Sequence, residues 1–208
     1  MPHQPAKLKV AALASGRGSN LGALISAAAR PGAPFAVVAA ISDNPSSLAL
    51  TRAREAGITA VAVERKPYPS KAAFETALAD AALGCGAELI CLAGFMRVLS
   101  PVFLGRFPGR VINIHPSLLP SFPGLDAQRQ ALEHGVKITG CTVHFVDEGV
   151  DTGPIIMQAS APVEPGDDVE TLSARILAQE HLLYPKVVEM IATGAVPFPH
   201  TSRRPAAK

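Results

Sequence analysis

Two side chains able to do acid–base chemistry stand at the end of a short apolar segment in the middle of the chain. The segment starts at Val111, contains Asn113 and ends at His115, which is followed by Pro116. Because a proline cannot donate to a sheet ladder, we expect a buried strand that stops at His115. Residues two apart project from the same face of a strand. An amide beside an imidazole can polarise a carbonyl, hold an oxyanion and move a proton, and a purely structural histidine is the alternative.

Two further polar clusters follow apolar segments. The loop at 15–20 reads Ser-Gly-Arg-Gly-Ser-Asn between a predicted strand and a predicted helix, an arrangement that cradles phosphate groups. The third glycine is Gly22 rather than residue 21, so the dinucleotide-binding pattern is incomplete. The alternative is a tight turn in which Ser19 and Asn20 cap the helix. An acidic, glycine-containing loop at 147–154 forms the other cluster.

One carboxylate falls on the apolar stripe of a long helix predicted at 168–192. At about 100° per residue, Glu180 lies within that stripe. A buried carboxylate needs a partner or a function, whereas a glutamate at the helix edge would reach solvent, and the sequence leaves both open. Asp167 and Glu170 resemble a capping box at the start of this helix. Pro185 should kink it.

Strands and helices alternate through the first half of the chain. Strands are predicted at 8–14, 35–41, 59–63, 88–93 and 111–115, and helices at 21–29, 48–56 and 71–83. This alternation predicts an α/β fold with a doubly wound, mostly parallel sheet and a Rossmann-like N-terminal half. After a helix at 126–134, strands at 139–146 and 155–163 have no helix between them, which predicts an antiparallel edge in the C-terminal half. The three polar clusters can then converge at the carboxyl edge of the sheet, where ligands bind.

Length and composition bound the class of protein. The 208 residues, 48% of them apolar, predict a single domain. The positions of the polar clusters divide it into an N-terminal half at about 8–100 with the expected phosphate-binding loop and a C-terminal half at about 101–192 with the candidate catalytic residues, and a disordered tail is expected at 201–208. The net charge of +2 and the absence of tryptophan argue against a nucleic-acid partner. No apolar run suggests a membrane span or signal peptide. Three irregularly spaced cysteines fit neither a disulfide framework nor a metal site, which predicts a reduced, cytoplasmic setting.

Four segments together resemble the folate-dependent formyltransferases, and among these the phosphoribosylglycinamide formyltransferases of purine biosynthesis. They lie at 15–20, 92–101, 113–120 and 144–154, and the likeness covers roughly residues 8–192 in unbroken order. The block Asn-Ile-His-Pro-Ser-Leu-Leu-Pro at 113–120 is shared with other formyl-folate enzymes, so it specifies the chemistry more than the acceptor. The loop at 15–20 points more directly to a phosphoribosyl acceptor.

The resemblance implies direct transfer of the formyl group of 10-formyltetrahydrofolate to the amine of glycinamide ribonucleotide, with no covalent enzyme intermediate and no metal. The matching catalytic residues are Asn113, His115 and Asp151, although composition alone would allow Asp147 or Glu148 in place of Asp151. Protonated His115 and the Asn113 amide would stabilise the tetrahedral oxyanion. Asp151 would sustain the charge of His115 and order water for proton transfer to the folate nitrogen.

The same resemblance implies two small-molecule sites, in a monomer or a homodimer. Acceptor binding is expected at Gly18, Ser19, Asn20 and Glu180, with Arg17 as an additional charge in the loop. Folate binding is expected at Lys71, Met96, Arg97, Val98, Leu99, Asn113, Val146, Asp147 and Asp151. Lys71 stands where relatives often carry arginine, and lysine keeps the charge but not the bidentate geometry.

Other classes fit less well. A methionyl-tRNA formyltransferase would need an additional C-terminal RNA-binding domain, and a formyltetrahydrofolate deformylase usually carries an N-terminal regulatory domain. A hydrolase could still arise from a similar site. A dinucleotide-dependent dehydrogenase with Asp43 as its ribose-binding acid is disfavoured by the misplaced third glycine. A non-catalytic nucleotide-binding module would leave Asn113, His115 and Asp151 unexplained.

Overall fold

A seven-stranded sheet organises the computed structural model, which describes residues 6–199. The strands are β1 (Leu8–Leu13), β2 (Phe35–Ser42), β3 (Thr59–Ala62), β4 (Leu89–Leu92), β5 (Val111–His115), β6 (Ile138–Phe145) and β7 (Ile155–Pro162). The helices are α1 (Ser19–Ala28), α2 (Leu48–Glu55), α3 (Lys71–Gly84), α4 (Pro101–Leu104), α5 (Ala127–Glu133) and α6 (Val169–Ala192). The predicted elements lie within two residues of these bounds, and the short helix α4 was missed.

The sheet has the order β3-β2-β1-β4-β5-β6-β7. Strands β1 to β5 pair in parallel, whereas β6 pairs antiparallel with both β5 and β7. The predicted fold class, a mostly parallel doubly wound sheet with an antiparallel edge, is confirmed. The strand order reverses between β1 and β4, and such a switch point opens a crevice at the carboxyl ends of the strands.

Successive side chains of the strands point alternately into two apolar layers, one on each face of the sheet. On β1, Val10 and Ala12 belong to the layer covered by α1 and α6, and Ala11 and Leu13 belong to the layer covered by α3. This period of two is what a strand buried on both faces requires. The helices therefore fix the sheet from both sides, and only its carboxyl edge and loops are left for a site.

One row of residues crosses the sheet where the parallel strands end. Leu13 pairs with Leu92, Leu92 with Asn113, and Asn113 with His144. Strand β5 continues two residues past this row and stops before Pro116, which has no N–H to donate. Asn113 and His115 consequently stand at the carboxyl edge, as the sequence predicted.

Two local predictions need correction, and two others are not tested by the structure. Ser19 and Asn20 do not cap α1, because the helix already includes them and its N-cap is Gly18 in a left-handed conformation with φ of 68°. The capping box of α6 is formed one residue later than predicted, by Asp168 and Thr171. Helix α6 continues past Pro185, so the proline does not end the helix, and the kink expected there stays a prediction. The tail predicted at 201–208 lies outside the described residues.

Candidate active site

Asn113, His115 and Asp151 meet at the end of β5. The Nδ1 atom of His115 is 3.2 Å from Oδ2 of Asp151, and Nδ2 of Asn113 donates to Oδ1 of Asp151 over 3.3 Å. His115 is 5% exposed, so these contacts are largely shielded from water. The structure therefore brings the three residues expected to be catalytic into one group of contacting side chains.

Both ring nitrogens of His115 face groups that can only accept. Nε2 lies 2.8 Å from the carbonyl oxygen of Phe122, and Nδ1 faces the Asp151 carboxylate. A carbonyl oxygen and an ionised carboxylate offer lone pairs but no proton. The doubly protonated imidazolium is the form of His115 that satisfies both contacts, which is the form able to stabilise negative charge.

Asp151 is held by its own loop and by the loop that follows β5. It has φ of 55°, a left-handed conformation that aspartate tolerates better than most residues, and its Oδ2 accepts the Gly124 N–H at 2.8 Å. Burial opposes ionisation of this carboxyl. Hydrogen bonds from His144 and Gly124, together with the nearby His115, outweigh that effect and hold the pKa of Asp151 below its usual value.

Asp147 and Glu148, the two other acidic residues of this loop, do not contact His115. Asp147 accepts the Gly149 N–H at 3.0 Å and the Thr152 hydroxyl at 2.7 Å, so it closes its own turn. Glu148 is exposed. Of the three acidic residues that composition left open, Asp151 is the one in contact with His115.

His144 belongs to this group and was missed in the sequence. It is 2% exposed, and its Nε2 lies 3.2 Å from Nδ2 of Asn113 and 3.5 Å from Oδ1 of Asp151. The signal was the alternation of β6, which puts residue 144 on the face of residue 113 once the antiparallel register is known. The register itself could not be read from the sequence.

The residues predicted to bind the acceptor also come together. Nδ2 of Asn20, in the first turn of α1, donates to Oε2 of Glu180 on α6 at 2.7 Å, and Glu180 is 6% exposed. Burial raises the pKa of Glu180 to about 7, although the bond from Asn20 acts in the opposite direction. Gly18 packs so closely on α2 that an added Cβ would lie 2.7 Å from the Cα of Ala49.

A groove of about 910 Å³ runs along α1 and α6, lined by the residues next to this pair in sequence, Ser19 and His181. Ser19 lies at its wall, and three cationic side chains, Arg30, Arg52 and Lys186, outnumber the one carboxylate there, Glu189. The side chain of Arg52 donates through Nε to the carbonyl oxygen of Arg17 at 3.0 Å, tying α2 to the glycine-rich loop. An anionic group at the loop would therefore meet cationic side chains as well as backbone N–H groups.

The predicted folate residues Met96, Arg97, Val98 and Leu99 form one loop after β4, beside a cavity of about 420 Å³ that Lys71 also lines. Met96 N–H donates to Oγ of Ser15 at 3.0 Å, which joins this loop to the glycine-rich loop. Met96 and Val98 expose apolar side chains, as a surface for an aromatic ring system would. Lys71 is largely exposed and lies 3.7 Å from the buried carboxylate of Glu75.

Asp43 has a different environment from the one that a dehydrogenase would need. Its Oδ2 accepts from Nε of Arg97 at 2.5 Å, and Arg97 also stacks 5.6 Å from the ring centre of Phe74. The carboxylate of Asp43 therefore pairs with Arg97 in the loop after β4.

Val146 and Asp147 stand at the start of the acidic loop, where the Val146 N–H donates to the carbonyl oxygen of Val111 at 2.9 Å.

Within residues 6–199, no helix is long and apolar enough to cross a membrane. In the same part of the chain, no three histidine, cysteine or acidic side chains cluster as metal ligands. Cys85, Cys91 and Cys141 are free thiols.

Comparison with known proteins identifies the class to which this fold and site belong. The sequence model of the formyl transferase family matches residues 8–188. The chain belongs to this family.

Within the family, the similar proteins point to one kind of enzyme. The phosphoribosylglycinamide formyltransferase of Bacillus subtilis is 43% identical over 183 residues, which are 88% of this chain and 94% of that protein. The crystal structure of glycinamide ribonucleotide transformylase 1 from Symbiobacterium toebii matches with a TM-score of 0.93 and 48% identity, covering 96% of this chain and 94% of that one. The predicted resemblance to the phosphoribosylglycinamide formyltransferases is confirmed.

Longer relatives contain a similar segment. The trifunctional purine biosynthetic protein adenosine-3 of Bos taurus is 47% identical over 193 residues, which are 93% of this chain and 19% of that protein. The chain therefore spans about a fifth of the length of this relative.

Proposed function

We propose that the chain transfers the formyl group of 10-formyltetrahydrofolate to the amine of glycinamide ribonucleotide, as a step of purine biosynthesis. The observation that carries the proposal is the contact of His115 with Asp151 and of Asp151 with Asn113, at the same sheet edge as the glycine-rich loop. Relatives that match nearly the full chain carry the name of this enzyme.

The acceptor binds with its phosphate at the loop formed by Gly18, Ser19 and Asn20. The backbone N–H groups at the start of α1 and the positive end of its helix dipole favour a dianion there. Glu180 presents the carboxylate oxygen that Asn20 leaves free, which suits a hydroxyl or an amine of the acceptor. This end of the cleft selects a small phosphorylated amine.

The folate binds at the other end of the cleft. The exposed apolar side chains of Met96 and Val98 pack on its ring system, while Leu99 and Val146 support the loop from the core. Lys71 and Arg97 supply positive charge for the carboxylates of the glutamate part. Both substrates then approach across the edge at which Asn113 and His115 stand, and holding them together supplies the orientation that the reaction needs.

The chemical step is attack of the acceptor amine on the formyl carbon. As the tetrahedral intermediate forms, the charge on its oxygen is stabilised by an N–H of the His115 imidazolium and by the Asn113 amide. The N–H that His115 directs at the Phe122 carbonyl is the one that a formyl oxygen takes over, since the other is held by the Asp151 charge. Asp151 orders the water that carries the amine proton to the departing folate nitrogen.

We also place the enzyme in the cytoplasm, where its free thiols persist in the reduced state, as a monomer or a homodimer. The co-substrate is the formyl-folate itself, so the proposed reaction needs no metal and no nicotinamide.

The test is a spectrophotometric assay of folate release from 10-formyltetrahydrofolate, with and without glycinamide ribonucleotide. Release that depends on the acceptor is the expected result. Equal release without the acceptor would make the chain a hydrolase, and formylation of charged initiator tRNA would replace the proposed acceptor while sparing the chemistry. His115→Ala serves as the control for background release.

A further inference from the structure

The cavity of about 420 Å³ beside the loop after β4 is more cationic than the predicted folate residues account for. Three cationic side chains line it, Arg65, Lys71 and Arg97, together with one carboxylate, Glu75. Arg65 was not predicted to bind folate, and it belongs to the loop at 64–70 between β3 and α3. A cleft lined mainly by one sign of charge attracts a ligand group of the opposite sign.

Two of the three cations already face a carboxylate of the protein. The Nζ atom of Lys71 lies 3.7 Å from Oε1 of Glu75, and Nε of Arg97 lies 2.5 Å from Oδ2 of Asp43. Arg65 makes no ion pair with any residue in the described part of the chain. Its positive charge is therefore the one at this cavity that the protein itself leaves unmatched.

The loop of Arg65 holds the guanidinium at the cavity wall. The Tyr68 N–H donates to the carbonyl oxygen of Arg65 at 3.3 Å, and Nη1 of Arg65 donates to the carbonyl oxygen of Tyr68 at 2.7 Å. The Tyr68 ring packs edge-on against Phe74 of α3, with 6.0 Å between the ring centroids. A side chain that is ordered in this way before binding loses less conformational entropy when a ligand arrives.

One edge of the Arg65 guanidinium stays available. Its hydrogen bond within residues 6–199 comes from Nη1, so the Nε and Nη2 edge donates to none of these residues. That edge presents two parallel N–H groups, which match the two oxygens of a carboxylate. Lys71 on the same cavity offers a point charge without this fork.

We propose that Arg65 binds a carboxylate of the glutamate part of the folate through Nε and Nη2, and so makes the enzyme selective for folates that carry glutamate. This inference deepens the proposed function and rests on it. The glutamate part has two carboxylates, and the second faces the ammonium of Lys71. Arg65 then supplies the bidentate contact that a lysine at position 71 cannot make.

The test compares two co-substrates that differ only in the glutamate. One is 10-formyltetrahydrofolate, and the other is its analogue with an N-methyl amide in place of glutamate. Arg65→Ala should raise the KM for 10-formyltetrahydrofolate about tenfold, as expected for losing a hydrogen bond to a charged group. The KM for the amide analogue, the KM for glycinamide ribonucleotide and kcat should stay near their wild-type values, because only binding of the glutamate is lost.

Two further variants sharpen the result. Lys66→Ala removes an exposed cation next to Arg65 that does not line the cavity, and it should leave both co-substrates unaffected. Arg65→Lys keeps the charge but not the fork, so the KM for 10-formyltetrahydrofolate should lie between wild type and Arg65→Ala.

The amide analogue separates binding of glutamate from a structural role of the loop. An equal rise in KM for both co-substrates in Arg65→Ala would mean that the substitution distorts the loop, and it would overturn the proposal. An unchanged KM for 10-formyltetrahydrofolate would overturn it too. If Arg65→Ala does not fold, Arg65→Lys is measured with the same pair, and wild-type selectivity in that variant contradicts the bidentate contact.

Equilibrium titration distinguishes this inference from the function on which it rests, because it needs no turnover. Wild type and Arg65→Ala are titrated with tetrahydrofolate and with its N-methyl amide analogue. Binding that depends on both the glutamate and Arg65, in a protein that transfers no formyl group to glycinamide ribonucleotide, would refute the proposed function and support the role of Arg65. An active enzyme that binds both ligands equally well would refute the role of Arg65 alone.

Discussion

Glu180 ties the proposed acceptor site to the stability of the protein, and Glu180→Gln is predicted to separate the two. The wild-type carboxyl is buried, accepts one hydrogen bond from Asn20 and has a pKa raised by burial from 4.5 to about 7. Glutamine keeps the shape and can still accept from Asn20. It carries no proton to titrate, so the variant removes the cost of a buried charge.

The size of the effect follows from the pKa. At about 1.4 kcal/mol per unit, a rise from 4.5 to about 7 corresponds to about 3 kcal/mol in the free energy of unfolding. At pH 4.5, Glu180 is protonated in the folded protein and half protonated in the unfolded chain, and below pH 4.5 it is mostly protonated in both, so burial costs little there. As the pH rises towards 7, the unfolded chain ionises while the folded protein keeps the proton. Wild-type stability is therefore lost over this interval, and the loss is complete above it.

Urea denaturation of wild type and Glu180→Gln from pH 4.5 to 8 measures this difference. The variant should match wild type at the acid end and exceed it by up to about 3 kcal/mol at pH 8. Glu55→Gln, at an exposed position near the end of α2, controls for the loss of a negative charge. A gap between wild type and Glu180→Gln that stays constant across this pH range would refute the reasoning.

Acceptor binding should change in the opposite direction. Losing a hydrogen bond to a charged group costs about 1.5 to 3 kcal/mol, which corresponds to roughly tenfold to hundredfold weaker binding of glycinamide ribonucleotide by isothermal titration. Unchanged acceptor affinity in a stabilised Glu180→Gln would mean that this carboxylate does not bind the acceptor.

Three further substitutions test the other parts of the site. Asp151→Asn keeps the shape but removes the charge beside His115, so kcat should fall about a hundredfold or more while the KM for folate changes less, as steady-state kinetics would show. Gly18→Ala forces a Cβ to within 2.7 Å of the Ala49 backbone at a positive φ. It should lower Tm and weaken the acceptor more than folate in titrations, and an equal loss for both ligands would make the loop purely structural. Lys71→Ala should raise the KM for folate and Lys71→Arg should not; equal values would exclude a charge contact.

The fold could be predicted closely because its signals are local. Each parallel strand is a short apolar run ended by glycine, proline or polar residues, and each crossover has a helical pattern of ordinary length. The missed helix α4 has four residues, too few for any periodicity. Its N-cap, Ser100, accepts from the Val102 N–H at 3.3 Å, and Ser100 in turn donates through its backbone N–H to Glu75 at 3.0 Å. Because Glu75 lies on α3, the bond between Ser100 and Glu75 is a tertiary contact, and the local sequence around α4 does not predict it.

The candidate site was predictable in its residue types and less so in its contacts. Asn113, His115 and Glu180 follow from strand and helix periodicity, which the sequence carries directly. The contacts of Phe122 with His115 and of Gly124 with Asp151 come from a loop whose conformation depends on left-handed backbone at residues that are not glycine. Such conformations are held by their surroundings, so composition alone does not reveal them.

The convergence of the polar clusters has a geometric reason that the prediction did not contain. Carboxyl ends share one edge in a parallel sheet, but β6 is antiparallel, and its carboxyl end points back toward the opposite edge. The overlap of β5 with β6 is four residues long, from Ile112 with Phe145 to His115 with Thr142. Strand β6 therefore ends one residue past the row in which the parallel strands stop. A longer overlap would carry the loop with Asp151 away from His115, so the short antiparallel pairing, as much as the parallel sheet, is what assembles the site.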